Sequence, residues 1–191
     1  MKSDILICGV DEVGIGPLAG PVIAAAVILD IKNSIDGIAD SKKLSPSKRE
    51  QLFQIIKNNC IAWAIGRAEV EEIDQVNILQ ASLIAMERAI KQLTTNPGLV
   101  LVDGIHCPNC KFPIQSVIRG DETVPAISAA SILAKVTRDK EMVEYAKVYP
   151  NYGFEKHKGY GTIKHLKALE LYGASPIHRK SFEPVKKISS R

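Results

Sequence analysis

The chain has 191 residues, 46% hydrophobic and 24% charged, a composition that excludes a disordered chain and supplies one sizeable core. Its formal net charge of +4 permits a polyanionic partner without requiring one. The first apolar run is interrupted by Asp11 and Glu12 before a secretory segment can form, and the apolar stretch from Val22 to Leu29 is too short to span a bilayer. A cytoplasmic protein with no membrane partner is expected.

Ile5 to Val10 reads as a buried strand with Asp11 and Glu12 at its exit. Gly14, Gly16 and Gly20 follow, with Pro17 and Pro21 between and after them. Glycine there lets a ligand approach the backbone closely. The spacing matches neither the P-loop nor the dinucleotide fingerprint. Pro21 to Leu29 reads as a second buried strand, hairpinned to the first. The polar loop from Asp36 to Lys48 ends at Ser45-Pro46, an N-cap followed by a first-turn proline. The helix it opens runs to about Asn58, with Leu52, Phe53, Ile55 and Ile56 as its apolar face.

Cys60 to Val70 reads as a third strand. An acidic segment, Glu69 to Asp74, leads into a helix from about Asn77 to Leu93. Leu99 to Val102 repeats the opening design, an apolar strand followed by Asp103 and Gly104. Phe112 to Ile118 is a further strand, followed by Arg119-Gly120-Asp121-Glu122. Pro125 to Tyr149 reads as one long helix whose small first residues suit close packing on a sheet. Pro150 to Gly161 is glycine-rich, aromatic and basic, and places His157, Lys158 and Tyr160 for backbone contact and base stacking. A helix from Thr162 to Tyr172 and a frayed basic terminus close the chain.

Four cysteines are present. Cys8 and Cys60 read as small buried hydrophobes. Cys107 and Cys110 lack the second ligand pair of a zinc site and read as a plain loop. His106, His165 and His178 read as surface residues.

Three strand exits carry aspartate, and in open α/β sheets sites lie at strand ends. Asp11, Glu12, Asp103 and Asp121 therefore form a candidate cluster with no cysteine or histidine in register. All-oxygen donors suit Mg²⁺ or Mn²⁺ rather than zinc. Two such ions activate water and stabilise the leaving oxygen in phosphodiester cleavage. Taken alone, Asp11-Glu12 also reads as a solvated acidic turn, and Lys42 and Lys43 as a solvated loop.

Several motifs carry a resemblance. They are the run from Asp11 to Val22, Asp40-Ser41-Lys42-Lys43-Leu44, Leu101-Val102-Asp103-Gly104, Gly120-Asp121, the run from Ile127 to Asp139, and His157-Lys158-Gly159-Tyr160-Gly161-Thr162. Together they resemble ribonuclease HII, the type 2 ribonuclease H family. The resemblance implies a ribonuclease H-like α/β fold: a mixed central sheet flanked by helices, in a single domain over residues 1–191. A small helical carboxyl-terminal part would occupy about 150–191.

The implied activity is endonucleolytic cleavage of RNA in RNA–DNA hybrids and incision 5′ of ribonucleotides embedded in duplex DNA, leaving 5′-phosphate and 3′-hydroxyl ends. Asp11, Glu12, Asp103 and Asp121 would be the catalytic and metal-binding set, with Mn²⁺ or Mg²⁺. Gly14, Ile15 and Gly16 would contact the ribonucleotide through backbone, with Tyr160 near its sugar. Lys42, Lys43 and Lys135 would contact phosphates. The partners would be RNA–DNA hybrid and duplex DNA containing ribonucleotides, met by a monomer. The family usually has arginine between the two glycines, where this chain has Ile15. A backbone contact survives that change and a guanidinium contact to phosphate does not. A nuclease of branched DNA and a catalytically idle hybrid-binding protein are the competing readings.

Overall fold

The computed structural model describes residues 5–38 and 44–189. Five strands form one sheet: β1 (Ile7–Val13), β2 (Val22–Ile28), β3 (Ala62–Ala68), β4 (Leu99–Asp103) and β5 (Ile114–Val117). Their order is β3-β2-β1-β4-β5. β2 pairs antiparallel with both β1 and β3, whereas β1–β4 and β4–β5 are parallel. The sheet is thus mixed, as the resemblance implies.

Every residue of β2 is buried, which explains its unbroken apolar sequence: a strand covered on both faces needs no alternation. Its even-numbered side chains, Val22, Ala24, Ala26 and Ile28, join a core with Ala81, Ala85, Met86 and Ala89 of helix α3 (Ile78–Lys91). Its odd-numbered ones, Ile23, Ala25 and Val27, join a second core. That core takes Leu52, Phe53 and Ile56 from α1 (Pro46–Asn59) and Ala129, Ala130 and Leu133 from α5 (Pro125–Val148). Strand periodicity alone sends the two sets to opposite helical layers.

Two glycines set the closest approaches. A Cβ on Gly9 would lie 2.1 Å from the Ala126 carbonyl carbon, and one on Gly66 would lie 2.0 Å from the Ala85 oxygen. α5 therefore rests directly on β1, two residues before Asp11.

Several boundaries depart from the sequence reading. β1 continues through the acids to Val13, with Asp11 opposite Ala25 and Glu12 opposite Ala24. The two carboxylates lie within the strand, not at its exit, because small alanines on β2 let the ladder continue past the end of the apolar run. The acidic segment holds a helix of its own, α2 (Val70–Val76), started by the Glu72 carboxylate accepting the Glu69 amide at 3.0 Å. Asp121 follows β5 on a one-turn helix, α4 (Gly120–Thr123), entered through Arg119 at φ 55°.

Ser45 caps α1 and, after the one-turn α6 (Phe154–His157), Thr162 caps α7 (Ile163–Tyr172) as expected, but Ile55 of α1 is 39% exposed rather than part of the packed face. The expected frayed terminus contains α8 (Glu183–Ser189), anchored by the buried Val185. Among the described residues, no helix is long and apolar enough to cross a membrane. Lys42 and Lys43 lie outside the described residues.

Gly9→Ala is expected to lower stability by about 1–3 kcal/mol or more, because the added methyl meets backbone that cannot rotate away. The urea midpoint reads this, and an unchanged midpoint would show that α5 can lift from β1.

Candidate active site

Asp11 and Glu12 are consecutive on β1, and Asp103 ends its parallel neighbour β4. The register pairs Val10 with Val102, so Asp11 and Asp103 occupy the next step on adjacent strands. Asp121 joins through its amide, which donates to Asp103 Oδ1 at 3.3 Å. Asp11 and Asp121 are buried.

Burial, more than any neighbour, drives the Asp11 carboxyl well above the usual carboxylate range; the charges of Glu12 and Asp103 push the same way. The Ser131 hydroxyl and the Glu12 amide, the latter at 2.8 Å, only partly offset this. Burial likewise raises Glu12 to about 7, against its own backbone amide and with the charge of Asp103. Glu12 Oε2 is buried and accepts no hydrogen bond. These are oxygen donors that a cation would relieve. Among the described residues, no three His, Cys, Asp or Glu side chains are already gathered as a ligand cage.

Beside the acids runs the loop from Gly14 to Pro21, turned at Gly14 (φ 101°) and Gly20 (φ 85°). Two fully buried arginines hold it. Arg179 donates to the carbonyls of Gly14 at 2.5 Å, Ile15 at 3.0 Å, Pro17 at 2.7 Å and Gly20 at 2.8 Å. Arg138 donates to Pro21, Ala19 and Lys158, each at 3.0 Å. A trans peptide sets N–H opposite C=O. With the Gly14 and Ile15 carbonyls turned to Arg179, the Ile15 and Gly16 amides face away from it. Neither amide donates to another described residue. The ring of Tyr160 flanks this face, its Cε1 3.7 Å from where a Gly16 Cβ would sit.

A cleft of about 340 Å³ is lined by Glu12, Val13, Arg49, Ser131, Ile132, Lys135 and Tyr160. It brings together three residues singled out from the sequence, Glu12, Lys135 and Tyr160. Lys135 is paired with Asp139 at 2.8 Å. Arg49 and Ser131 were missed. Arg49 is steadied by the Leu44 carbonyl at 3.0 Å, and its position one turn into a capped helix was the available signal.

Arg138 and Arg179 were missed too. Arg138 falls in step with the buried Ala134 and Met142, a four-residue spacing that marked the buried stripe. The histidine reading is corrected as well: His165 and His178 are fully buried, with their Nε2 atoms 3.0 Å apart. His165 lies four residues before the buried Leu169 on α7, so it faces inward. His157 stacks on His165 at 4.5 Å between ring centroids and bonds to Tyr152 and Gly159; its ring is not free for a base. His106 is exposed, and the cysteines carry free thiols.

A family model described as Ribonuclease HII matches residues 8–185. Ribonuclease HII of Coxiella burnetii (strain Dugway 5J108-111) is 60% identical over 186 residues, covering 97% of this chain and 92% of its own length. Ribonuclease HII of Nitrosospira multiformis is 58% identical over 182 residues, covering 95% and 92%. The crystal structure of ribonuclease H2 from Pyrococcus horikoshii OT3 matches with a TM-score of 0.81 at 28% identity, with 97% of each chain covered. Bst-RNase HIII in complex with Mn²⁺ matches with a TM-score of 0.77, covering 97% of this chain and 70% of that one. At 15% identity, that last likeness concerns the fold alone.

The raised carboxylates have a definite pH signature. Glu12 titrates near 7 when folded, against 4.5 in a free chain. Its proton therefore stabilises the fold fully below about pH 4.5, and that contribution is lost as pH rises through about 7. In chelator, wild-type stability should fall between pH 5 and pH 7.5 relative to Glu12→Gln by roughly 3 kcal/mol at most. Urea unfolding at both pH values measures this, and parallel curves for the two proteins would contradict it.

Proposed function

Because this chain belongs to the ribonuclease HII family, nuclease hydrolases with ribonuclease H activity, we propose that it incises duplex DNA 5′ of an embedded ribonucleotide as well as cleaving RNA in RNA–DNA hybrids. Asp11, Glu12, Asp103 and Asp121 hold divalent cations, Mg²⁺ or Mn²⁺, and are the catalytic set. The observation that carries this reading is the buried, raised pair Asp11–Glu12 beside Asp103, with Glu12 Oε2 unbonded. Such a set is poorly stable as bare anions and well suited to hard cations. A structural neighbour, Bst-RNase HIII, is described in complex with Mn²⁺, which supports the choice of ion class.

When bound, the ions supply an activated water and charge stabilisation for the leaving oxygen. The chain's own residues do the rest. Burial limits the water around the Asp11 and Glu12 carboxylates. The Ser131 hydroxyl and the Glu12 amide fix the Asp11 carboxylate, and the Asp121 amide fixes that of Asp103. The outward amides of Ile15 and Gly16 meet the sugar of the ribonucleotide, whose 2′-hydroxyl both donates and accepts. Tyr160 packs against that sugar. Lys135, with Lys42 and Lys43, meets phosphates.

Asp11→Asn and Asp103→Asn should each lower turnover on a hybrid by several powers of ten, since each removes a charged donor from the ions, while hybrid binding persists. Cleavage assays with added Mg²⁺ or Mn²⁺ measure the loss. Full-rate cleavage by chelator-treated wild type would remove the metal from the reading.

A further inference from the structure

Tyr160 forms one wall of the ribose pocket, yet little holds its side chain. The residue is 42% exposed. Among the described residues no aromatic ring stacks on it, and its hydroxyl makes no hydrogen bond. It follows two left-handed residues, Lys158 at φ 52° and Gly159 at φ 86°. A non-glycine residue in that region is strained and persists only where its surroundings impose it. The position of Tyr160 must therefore be set through its backbone.

A buried chain of hydrogen bonds reaches that backbone, and its polarity is forced. The Ser175 amide lies 2.9 Å from His178 Nδ1. An amide N–H only donates, so His178 Nδ1 accepts, with the Ser175 hydroxyl also 2.8 Å from that atom, and the arrangement that fits the amide puts the ring proton on Nε2. That Nε2–H faces His165 Nε2 at 3.0 Å, which must accept in turn. The His165 proton is then on Nδ1, where it donates to the Tyr160 carbonyl at 2.9 Å. Ser175, His178 and His165 are all buried. His157 braces the same turn: its Nδ1 accepts the Gly159 amide at 3.2 Å, leaving Nε2–H to donate to Tyr152 at 2.8 Å. A proton added to either ring of the His165–His178 pair would set N–H against N–H, so the chain works only with both rings neutral.

We propose that His165, oriented by His178, is a positioning residue for ribose recognition: its Nδ1–H fixes the Tyr160 carbonyl and thereby holds the tyrosine ring against the sugar of the ribonucleotide at the cleavage site. This rests on the reading that Tyr160 meets that sugar. The role is separate from the acids, since none of the four touches the chain.

Two substitutions separate the two ends of the His165 ring. His165→Asn places an amide donor where Nδ1–H was and loses the His178 partner. His165→Gln places its amide near Nε2 and loses the donor to Tyr160. Both lose the ring and its stack on His157, so their difference sets loss of the Tyr160 bond against loss of the His178 bond. On a duplex with one embedded ribonucleotide, His165→Gln should show a KM about three- to tenfold above that of His165→Asn. The gap in kcat should be smaller, and the gap on a long hybrid smaller still. Equal KM values for the two variants would overturn the proposal, provided Tyr160→Ala itself raises KM on that duplex. A Tyr160→Ala protein with wild-type KM would instead show that Tyr160 does not meet the sugar, and the proposal would fall with that reading. Nitrogen-15 NMR of the wild-type imidazoles needs no variant. Nδ1–H on His165 with Nε2–H on His178 is the expected pair of tautomers, and the opposite pair would overturn the proposal even if both variants failed to fold.

Discussion

The Arg179 guanidinium, fully buried among the carbonyls of the Gly14–Pro21 loop, is the constraint on which the site depends. A buried cation without partners is opposed by roughly several kcal/mol of lost hydration. Among the described residues no carboxylate forms an ion pair with it, and Asp74 acts only at a distance. Burial, and then the nearby Arg138, lower its pKa to about 9, so it keeps its charge at neutral pH. Carbonyl dipoles take the place of an anion. Each carbonyl turned toward Arg179 rotates its peptide, and the amides on the other side become the face offered to a ligand. The loop has no regular secondary structure of its own. Its shape is imposed from the carboxyl-terminal part of the chain, more than 150 residues away in sequence, reinforced by the Leu18 amide bonding to Gly159 and the Gly20 amide to Ile177.

The acids pose the opposite problem. The sheet and α5 bury Asp11 and half-bury Glu12, and among the described residues no cation forms an ion pair with either, so the fold accepts a local destabilisation at the candidate site. What keeps them there is the packing around them. Gly9 lets α5 sit on β1, and the antiparallel ladder to Ala24 and Ala25 fixes the strand. The parallel pairing with β4 brings Asp103 alongside. The packed sheet and α5 offset the cost of holding like charges together, and the loop tied by Arg179 lies beside them.

Much of this was legible in the chain. The apolar runs gave the strands, and the recurrence of aspartate after them gave the candidate acids. Ser45-Pro46 and Thr162 marked helix starts where the structure has them. The extent of β1 was not legible, because hydrophobicity stops at Asp11 while the hydrogen-bond ladder continues to Val13. The inward placement of Arg138, Arg179, His165 and His178 was hidden for a different reason. Polar residues are buried when distant acceptors satisfy them, and those acceptors are loop carbonyls whose positions no local pattern encodes. Helical spacing would have flagged Arg138 and His165, each four residues from a buried apolar neighbour. Nothing comparable marked Arg179, which lies in a non-helical segment. The helix α2 was concealed by its acidity, although Glu72, three residues after Glu69, was a recognisable start signal.

On the proposed function, cleavage and recognition meet at one bond, so mapping that bond is the most direct test. A duplex carrying a single ribonucleotide, end-labelled and digested with Mg²⁺ or Mn²⁺, should yield one incision on the 5′ side of the ribonucleotide. The upstream product should end in a deoxyribonucleotide 3′-hydroxyl and the downstream one should begin with the ribonucleotide carrying a 5′-phosphate. Incision on the 3′ side, or an intact duplex under conditions where long hybrids are cut, would contradict a site in which the Gly14–Gly16 backbone and Tyr160 present the ribose to Asp11, Glu12, Asp103 and Asp121.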